Sequence, residues 1–159
     1  MRNVQQIALL NFWDRLRGDK RLPDIASLQP DDLRRSAEHL MFCDVAYTKS
    51  QRTFVVRYQG SQVKRAFGVN ATGLALDDPS IPRVERFSIN DYHQVCERVE
   101  PHFRIIRLRH ATGAVVHYKR LLLPFGKRNA RVARIVSLIS LFSEENGYPG
   151  DIVGSGIPL

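Results

Sequence analysis

The apolar positions near the start of the chain follow a helical period. Between residues 3 and 17, apolar side chains recur at intervals of three and four, which is the stripe of an amphipathic helix. Gly18 follows the stripe as a helix stop. A short second helix is predicted at residues 29–33, where a proline and two aspartates favour a helix N-terminus. The stripe of the first helix consists of Leu9, Phe12, Trp13 and Leu16.

Five later segments have the apolar runs or the two-residue alternation of β-strands. A polar turn signal separates the first two segments, and Thr112-Gly113 separates the third from the fourth, as in antiparallel hairpins. Pro124 ends the fourth segment. The predicted strands are residues 40–47, 53–58, 103–109, 114–123 and 132–142.

The stretch between the second and third strands predicts helices and a loop. Ser61 and Gly68 can cap the two ends of a short helix. Residues 74–87 contain two prolines and show no period, so an irregular loop is predicted there. Residues 88–99 predict the best-defined internal helix, because residues 88–91 have the form of a capping box with aspartate replacing the usual glutamate.

This order of elements predicts a single α+β domain with an antiparallel sheet. The 159 residues, 43% of them hydrophobic, suffice for one compact domain. The predicted boundaries are a flanking helix with its linker at 1–27, the domain at 28–143, and a flexible tail at 144–159. The tail is assigned because glycine and proline are frequent in it.

Cysteine usage and the N-terminus indicate the compartment. Cys43 and Cys96 lie in apolar segments and lack the spacing of a zinc ribbon or a redox motif. The first residues lack the apolar core of a secretory signal, and no stretch is apolar enough to span a bilayer. We therefore expect a soluble, cytoplasmic protein with two reduced thiols.

The charge adds a possible class of partner. Lysine and arginine number 24 against 16 acidic residues, so the formal charge is +8, which attracts phosphates, acidic proteins and anionic lipids. Basic side chains on the strands would bind an anionic ligand if they converged, and would meet water or an acidic partner if they pointed outward. The outward orientation is favoured, because an unpaired buried arginine is costly. These side chains are Arg57, Arg107, Arg109, Lys119 and Arg120.

Several short motifs follow one another in a specific order over residues 7–142. They are residues 12–18 with Leu22-Pro23, residues 29–33, His39-Leu40 leading to Asp44-Val45, residues 54–60, Phe67-Gly68, Thr72-Gly73, Pro101, and residues 118–124. In this order they resemble the single-domain PAS proteins common in alphaproteobacteria. Each motif alone is weak, and their order carries the resemblance.

The resemblance implies a PAS fold, with a five-stranded antiparallel sheet and short helices on one face. The helices and sheet would enclose either a ligand pocket or a plug of side chains. The N-terminal helix would lie outside this core, against the other face of the sheet or against a second subunit. Its stripe is therefore a candidate homodimer surface, and packing within one chain is the alternative. That stripe is Leu9, Phe12, Trp13 and Leu16.

Candidate ligand-binding residues lie on the elements that would enclose the pocket, and no catalytic or metal-binding residue is predicted. His93 lies on the helix that carries the haem ligand in haem-binding PAS domains, although the cofactor itself is left unknown. The light-sensing PAS branch has a cysteine near the short helices, and residues 60–68 contain none, so a photoreceptor is rejected. The candidates are Tyr58, Phe67, Tyr92, His93, Tyr118 and Arg120.

The first hypothesis for function is a non-enzymatic sensory or regulatory module that binds a small ligand or a signalling protein and acts in trans. Hydrolase elbows, zinc-protease motifs and phosphate-binding glycine loops are absent from the sequence. A basic, nucleic-acid-associated protein is the alternative, although RNA-reading aromatic motifs and a clear helix-turn-helix are lacking. A haem-binding sensor is a further alternative.

Overall fold

The structure, a computed structural model, describes residues 3–128, 131–143 and 150–159. The helices are α1 (Val4–Arg17), α2 (Ser61–Phe67), α3 (Arg83–Phe87), α4 (Ile89–Arg98) and α5 (Ile152–Ser155). The strands are β1 (Leu40–Tyr47), β2 (Arg52–Gln59), β3 (His102–Arg109), β4 (Val115–Gly126), β5 (Val132–Ser143) and β6 (Ile157–Pro158). Two 3₁₀ segments, Ile25–Ser27 and Pro30–His39, connect α1 to β1.

The six strands of the described residues belong to one antiparallel sheet with the order β2-β1-β5-β4-β3-β6. The predicted α+β class is confirmed, and each of the five predicted strands is present. The sheet has a sixth member because the two residues of β6 pair with the end of β3. Side chains alternate along β4, so Tyr118 and Arg120 face α3 and α4 while Leu121 and Leu123 face the other side.

Helix α1 lies across β4 and β5 of its own chain. Asn3 and Gln6 form a capping box at its start. Gln6 also donates from Nε2 to the carbonyl oxygens of Lys119 at 3.1 Å and Leu138 at 3.3 Å. Trp13 donates from Nε1 to the carbonyl oxygen of Pro124 at 2.7 Å. These bonds fix the helix to the backbone of the sheet.

The four residues of the predicted dimer stripe therefore differ in burial. Leu9 and Trp13 are buried within the single chain, which is the intrachain alternative of the sequence analysis. Phe12 and Leu16 are half-buried and pack against the same core. A second subunit could contact only the outer half of this stripe while α1 keeps its position.

The predicted short helix at residues 29–33 is part of a longer 3₁₀ segment, Pro30–His39. Its end passes so close to β2 that a Cβ atom on Gly60 would lie 2.3 Å from the carbonyl oxygen of Ala37. Glycine is therefore required at this position. Tyr58 adds a hydrogen bond from its hydroxyl to the same carbonyl, at 2.8 Å.

Two predictions for residues 74–91 were wrong. The predicted loop contains helix α3, which begins after Pro82 because proline presets the backbone for a first turn. The capping box at residues 88–91 does not form. The Ser88 hydroxyl donates to the carbonyl of Val84 at 2.6 Å, and the Asp91 carboxylate binds arginines instead of the helix end.

The end of the chain differs from the expected flexible tail. Residues 144–149 lie outside the described residues, but residues 150–159 form α5 and β6. Ile152 and Val153 are fully buried, and α5 packs against α2 and α3. The glycine-rich composition of the segment gave no sign that Ile152 and Val153 would be buried. Their burial stabilises an ordered segment.

Candidate functional site

A network of buried polar side chains fills the space between the sheet and helices α3 and α4. Strand β4 contributes Tyr118 and Arg120, helix α3 contributes Glu85, and α4 contributes Asp91 and Tyr92. All five are among the buried residues, and Arg120 is the largest fully buried side chain of the described part. The alternation of β4 points its two members toward the helices, where the short α3–α4 connection places the carboxylates.

Arg120 is the centre of the network. Its Nη1 donates to Glu85 Oε1 and to Ser88 Oγ, each at 2.9 Å. Its Nη2 donates to Asp91 Oδ2 at 2.5 Å. Within the described residues, Arg120 Nε has no hydrogen-bond partner. Burial disfavours the charged guanidinium, but the charges of Glu85 and its neighbours raise the pKa of Arg120 above its usual value.

Two phenols complete the shell around Glu85. Tyr92 donates its hydroxyl to Oε2 at 3.0 Å, and Tyr118 donates to Oε1. Burial, followed by the nearby Glu85 charge, raises the pKa of both tyrosines. Both phenols therefore remain protonated and act as hydrogen-bond donors. The Glu85 carboxylate is fully buried and accepts hydrogen bonds from these two phenols and from Arg120.

Arg104 on β3 connects the network to the surface. Its Nε donates to Asp91 Oδ2 at 2.5 Å, and its Nη2 donates to Oδ1 at 2.8 Å. The Asp91 side chain is 2% exposed, whereas that of Arg104 is 45% exposed. His102 lies next to the same carboxylate, with Nε2 at 3.8 Å from Oδ1. Arg104 thus lies between the Asp91 carboxylate and the solvent.

The arginines also set the protonation of Asp91. Burial alone would raise the pKa of this carboxyl, but the hydrogen bonds from Arg104 and the charges of Arg120 and Arg104 outweigh burial and lower it. A carboxyl whose pKa is lower in the folded than in the unfolded state stabilises the fold above its unfolded pKa. That stabilisation is lost as the pH falls through the folded pKa.

We expect Asp91→Asn to weaken the dependence of the unfolding free energy on pH at acidic pH. The substitution removes a group whose ionised form the fold prefers, so unfolding free energy should depend less on pH below about 4. At pH 7 the variant should lose about 2 kcal/mol. Urea unfolding followed by circular dichroism at several pH values measures both effects.

Asp31→Asn is the matched control, since the Asp31 side chain is 79% exposed and forms a surface ion pair with Arg34, three residues further along the chain. It should change unfolding free energy by less than about 0.5 kcal/mol. An Asp91→Asn curve parallel to that of the unmodified protein would show that Asp91 is not a major acid-sensitive group of the fold.

The structure brings three of the six predicted ligand residues together, namely Tyr92, Tyr118 and Arg120. Phe67 is buried in α2, where its backbone carbonyl faces Gly154. Tyr58 is exposed and stacks near Phe42 with ring centroids 5.1 Å apart. Neither Phe67 nor Tyr58 has a hydrogen bond to the network in the described part of the chain.

His93 lies in a surface groove of about 690 Å³ beside α4. Its ring meets Phe54 edge-on at 4.9 Å, and burial followed by the charge of Arg52 lowers its pKa. Axial ligation of haem needs an apolar slot for the porphyrin. The groove instead lies at the surface and has polar and charged side chains in its walls, so the residues present do not fit haem. These side chains include Thr48, Ser50, Gln51, Arg52 and Asp77.

The outward orientation expected for Arg120 was wrong. The expectation assumed that a buried Arg120 would have no acidic partner, but Glu85 and Asp91 both pair with it in the interior. Arg57, Arg107 and Arg109 are exposed, as expected. Arg57 pairs with Asp44 at 3.0 Å, a contact between neighbouring strands.

Sequence reasoning missed both carboxylates of the network. Glu85 lay in a segment predicted to be an irregular loop, and Asp91 was assigned to a helix cap. A signal for Asp91 existed in its position, one residue before the apolar face that includes Tyr92 and Val95. Nothing in the local pattern around Glu85 indicates a buried acid.

Residues 3–128, 131–143 and 150–159 contain no group of three or more histidine, cysteine, aspartate or glutamate side chains that could hold a metal ion. None of the helices described is both long and apolar enough to cross a bilayer.

The chain is similar to known proteins over most of its length. A family model described as a PAS domain matches residues 1–140. A light-oxygen-voltage domain studied with a flavin analogue is 12% identical, with a TM-score of 0.51, over 72% of this chain and 84% of that chain. An RNA-binding light-oxygen-voltage receptor is 19% identical, with a TM-score of 0.45, over 75% of this chain and 35% of the receptor, so the chain spans about a third of its length.

No curated protein matches the sequence. At 12% identity, the light-oxygen-voltage domain supports the fold alone. The family model covers 140 of the 159 residues, and it agrees with the antiparallel sheet and its covering helices. The resemblance inferred from the sequence motifs is confirmed, and the chain belongs to the PAS domain family.

Proposed function

We propose that this PAS domain is a non-enzymatic regulatory module that recognises a signalling protein and acts on it in trans. PAS domains are sensory and interaction modules, and this general role applies to the chain as a member of the family. The two finer alternatives are a small ligand in the interior and a protein at the surface. The interior geometry favours the protein.

The observation that carries this proposal is the filled space between the sheet and helices α3 and α4. Arg120, Glu85, Tyr92 and Tyr118 occupy it and are joined to one another by hydrogen bonds. A ligand there would have to displace these side chains and leave buried charges unpaired, which costs several kcal/mol. The network is therefore better suited to fixing the position of α3 and α4 than to receiving a molecule.

The flavin of light-oxygen-voltage domains is the most specific small-ligand alternative. An isoalloxazine ring between the helices and the sheet would require the volume that Tyr92, Tyr118 and Arg120 fill. Cys43 is fully buried in β1, and burial raises the pKa of its thiol, so it is a poor nucleophile. These features support a protein that works without flavin photochemistry.

Site-specific photocrosslinking in cells tests the proposal. Benzoylphenylalanine is introduced separately at three exposed apolar positions on different elements, Val4, Phe87 and Phe142. We expect at least one position to give a discrete protein adduct that mass spectrometry identifies. Leu122, which is fully buried, is the matched position where no intermolecular adduct is expected.

Two outcomes would contradict the proposal. The first is the absence of a protein adduct at all three exposed positions. The second is native mass spectrometry of the freshly purified protein that shows a stoichiometric small molecule, or a visible absorption band of a bound chromophore. Either result would favour the small-ligand alternative.

A further inference from the structure

The edge of the sheet at β3 is only partly covered. Strand β6 pairs with the end of β3, where Leu108 faces Pro158 and Arg109 faces Ile157. The backbone N–H of Leu159 then donates to the carbonyl of Arg107 at 3.0 Å. The edge therefore accepts a strand, and the chain's own segment occupies one end of it.

The backbone of Ile105 faces the uncovered part of this edge. In an antiparallel strand, the N–H and C=O of one residue point to the same side, and this side alternates from residue to residue. The Arg107 carbonyl points toward Leu159, so the N–H and C=O of Ile105 point the same way, away from β4. Among the described strands, none pairs with β3 at Ile105. Such a donor and acceptor can template an added strand.

A groove of about 670 Å³ runs beside this edge. Helix α3 forms one wall with Val84 and Phe87, and the side chain of Phe87 is exposed. Ile105 and Ile106 of β3 form the opposite wall, on the two sides of the strand. The groove therefore offers apolar walls to the side chains of an extended segment.

The charge around the groove is basic. Arg104 and Arg107 lie on its β3 wall, where Arg107 is exposed and Arg104 already pairs with Asp91. Arg83 of α3 is also exposed and lies against the Phe87 ring, 5.2 Å from its centroid. The whole chain carries a formal charge of +8. A peptide with carboxylates would be attracted, whereas a second copy of the chain would bring the same arginines to the edge and be repelled.

We propose that the β3 edge is the docking site for an extended, acidic segment of the partner protein, which pairs with β3 on the part of its edge that β6 leaves uncovered. Backbone hydrogen bonds to Ile105 supply affinity that does not depend on the peptide's sequence. Apolar side chains contact Phe87 and Ile106, and carboxylates pair with Arg107 and Arg83. This inference rests on the proposed function, since it names the chemistry of the partner.

A defined peptide tests the docking site. The probe is a fluorescein-labelled octapeptide of alternating glutamate and valine, and fluorescence anisotropy measures its binding to the whole chain. We expect saturable binding. A peptide with the same composition in two blocks, four glutamates and then four valines, should bind at least about 10-fold more weakly, since strand addition requires alternation.

N-methylation of the probe distinguishes strand addition from simple charge attraction. Methyl groups on alternate amides block either the edge that faces β3 or the opposite edge of the peptide. One pattern should weaken binding by about 10-fold or more, and the other should leave it within about 2-fold. Equal binding of both patterns, or no saturable binding of the unmodified probe, would overturn the proposal.

Ile105→Pro removes the edge N–H from the protein, and proline is tolerated on edge strands. We expect binding to fall about 10-fold, whereas the matched Ile105→Val should bind like the unmodified chain. Circular dichroism checks the fold of both variants, and the N-methylated probes remain decisive if Ile105→Pro does not fold. Self-association that Ile105→Pro abolishes would assign the edge to a second copy and overturn the peptide proposal.

The crosslinking experiment separates this inference from the proposed function. Adducts at Val4 or Phe142 without adducts at Phe87 would place the partner elsewhere on the surface. The regulatory function would then stand while the edge site would fall. Loss of adducts at every exposed position would contradict both.

Discussion

Replacing Arg120 with methionine is expected to lower the free energy of unfolding by about 3–5 kcal/mol. The substitution leaves Glu85 and Asp91 buried without their shared partner, since Arg120 lies at 2.9 Å from the first and 2.5 Å from the second. Methionine matches the length of the side chain and so limits the cavity. Urea unfolding followed by circular dichroism at pH 7 measures the loss.

Two comparisons keep this prediction specific. Arg57→Met removes an exposed arginine that also pairs with an aspartate, and it should cost less than about 1 kcal/mol. Adding Glu85→Gln to Arg120→Met should restore part of the lost stability, because one unpaired charge is removed. If the double variant is as unstable as the sum of the two single variants, the pair is not coupled.

Replacing Trp13 with alanine is expected to cost about 3–5 kcal/mol. Trp13 is buried against its own sheet, and its Nε1 bond to the Pro124 carbonyl would be lost with the ring. The loss should not depend on protein concentration, since the contacts lie within one chain. Urea unfolding at two protein concentrations measures the loss of unfolding free energy and shows whether that loss depends on protein concentration.

Two variants on α1 accompany this experiment. Trp13→Phe keeps an aromatic ring but loses the N–H that binds the Pro124 carbonyl. The lost hydrogen bond should lower the free energy of unfolding by about 1 kcal/mol, in addition to the effect of the smaller ring. Phe12→Ala removes a half-buried ring from the outer side of the helix and should cost clearly less than Trp13→Ala. A Trp13→Ala protein that stays stable but changes from dimer to monomer in sedimentation would restore the dimer interface predicted from the sequence.

These two positions represent different kinds of stabilisation in one PAS domain. Trp13 fixes the flanking helix to one side of the sheet by apolar burial and one backbone hydrogen bond. Arg120 fixes α3 and α4 on the other side by charge pairing. Helix α3 is also a wall of the β3 edge groove, so the network that holds Glu85 sets the shape of the proposed docking site.

The strands were predictable because their signal is local. Period-two alternation and apolar runs placed all five main strands, and the Thr112-Gly113 turn correctly joined β3 to β4. Helix α1 was equally visible in its stripe, although the stripe could not say what buries it. The order of the motifs was enough to predict the PAS family.

The site was less predictable because its members are distant in sequence. Tyr118 and Arg120 were candidates from their strand, but Glu85 is 35 residues from Arg120 and lies in a helix of five residues. Asp91 has the same local appearance whether it caps α4 or binds two arginines. Only the packing of α3 and α4 on β4 decided between these roles.

By itself, the sequence determined the strands, the amphipathic helix and the PAS family, since these depend on periodicity and on short motifs in order. Tertiary structure alone decided that Arg120 points inward, that Ile152 and Val153 are buried, and that the β3 edge is partly open. The physical reason is that burial, charge pairing and strand pairing depend on which distant segments meet. A local pattern shows what a residue prefers, and only the fold supplies its partner.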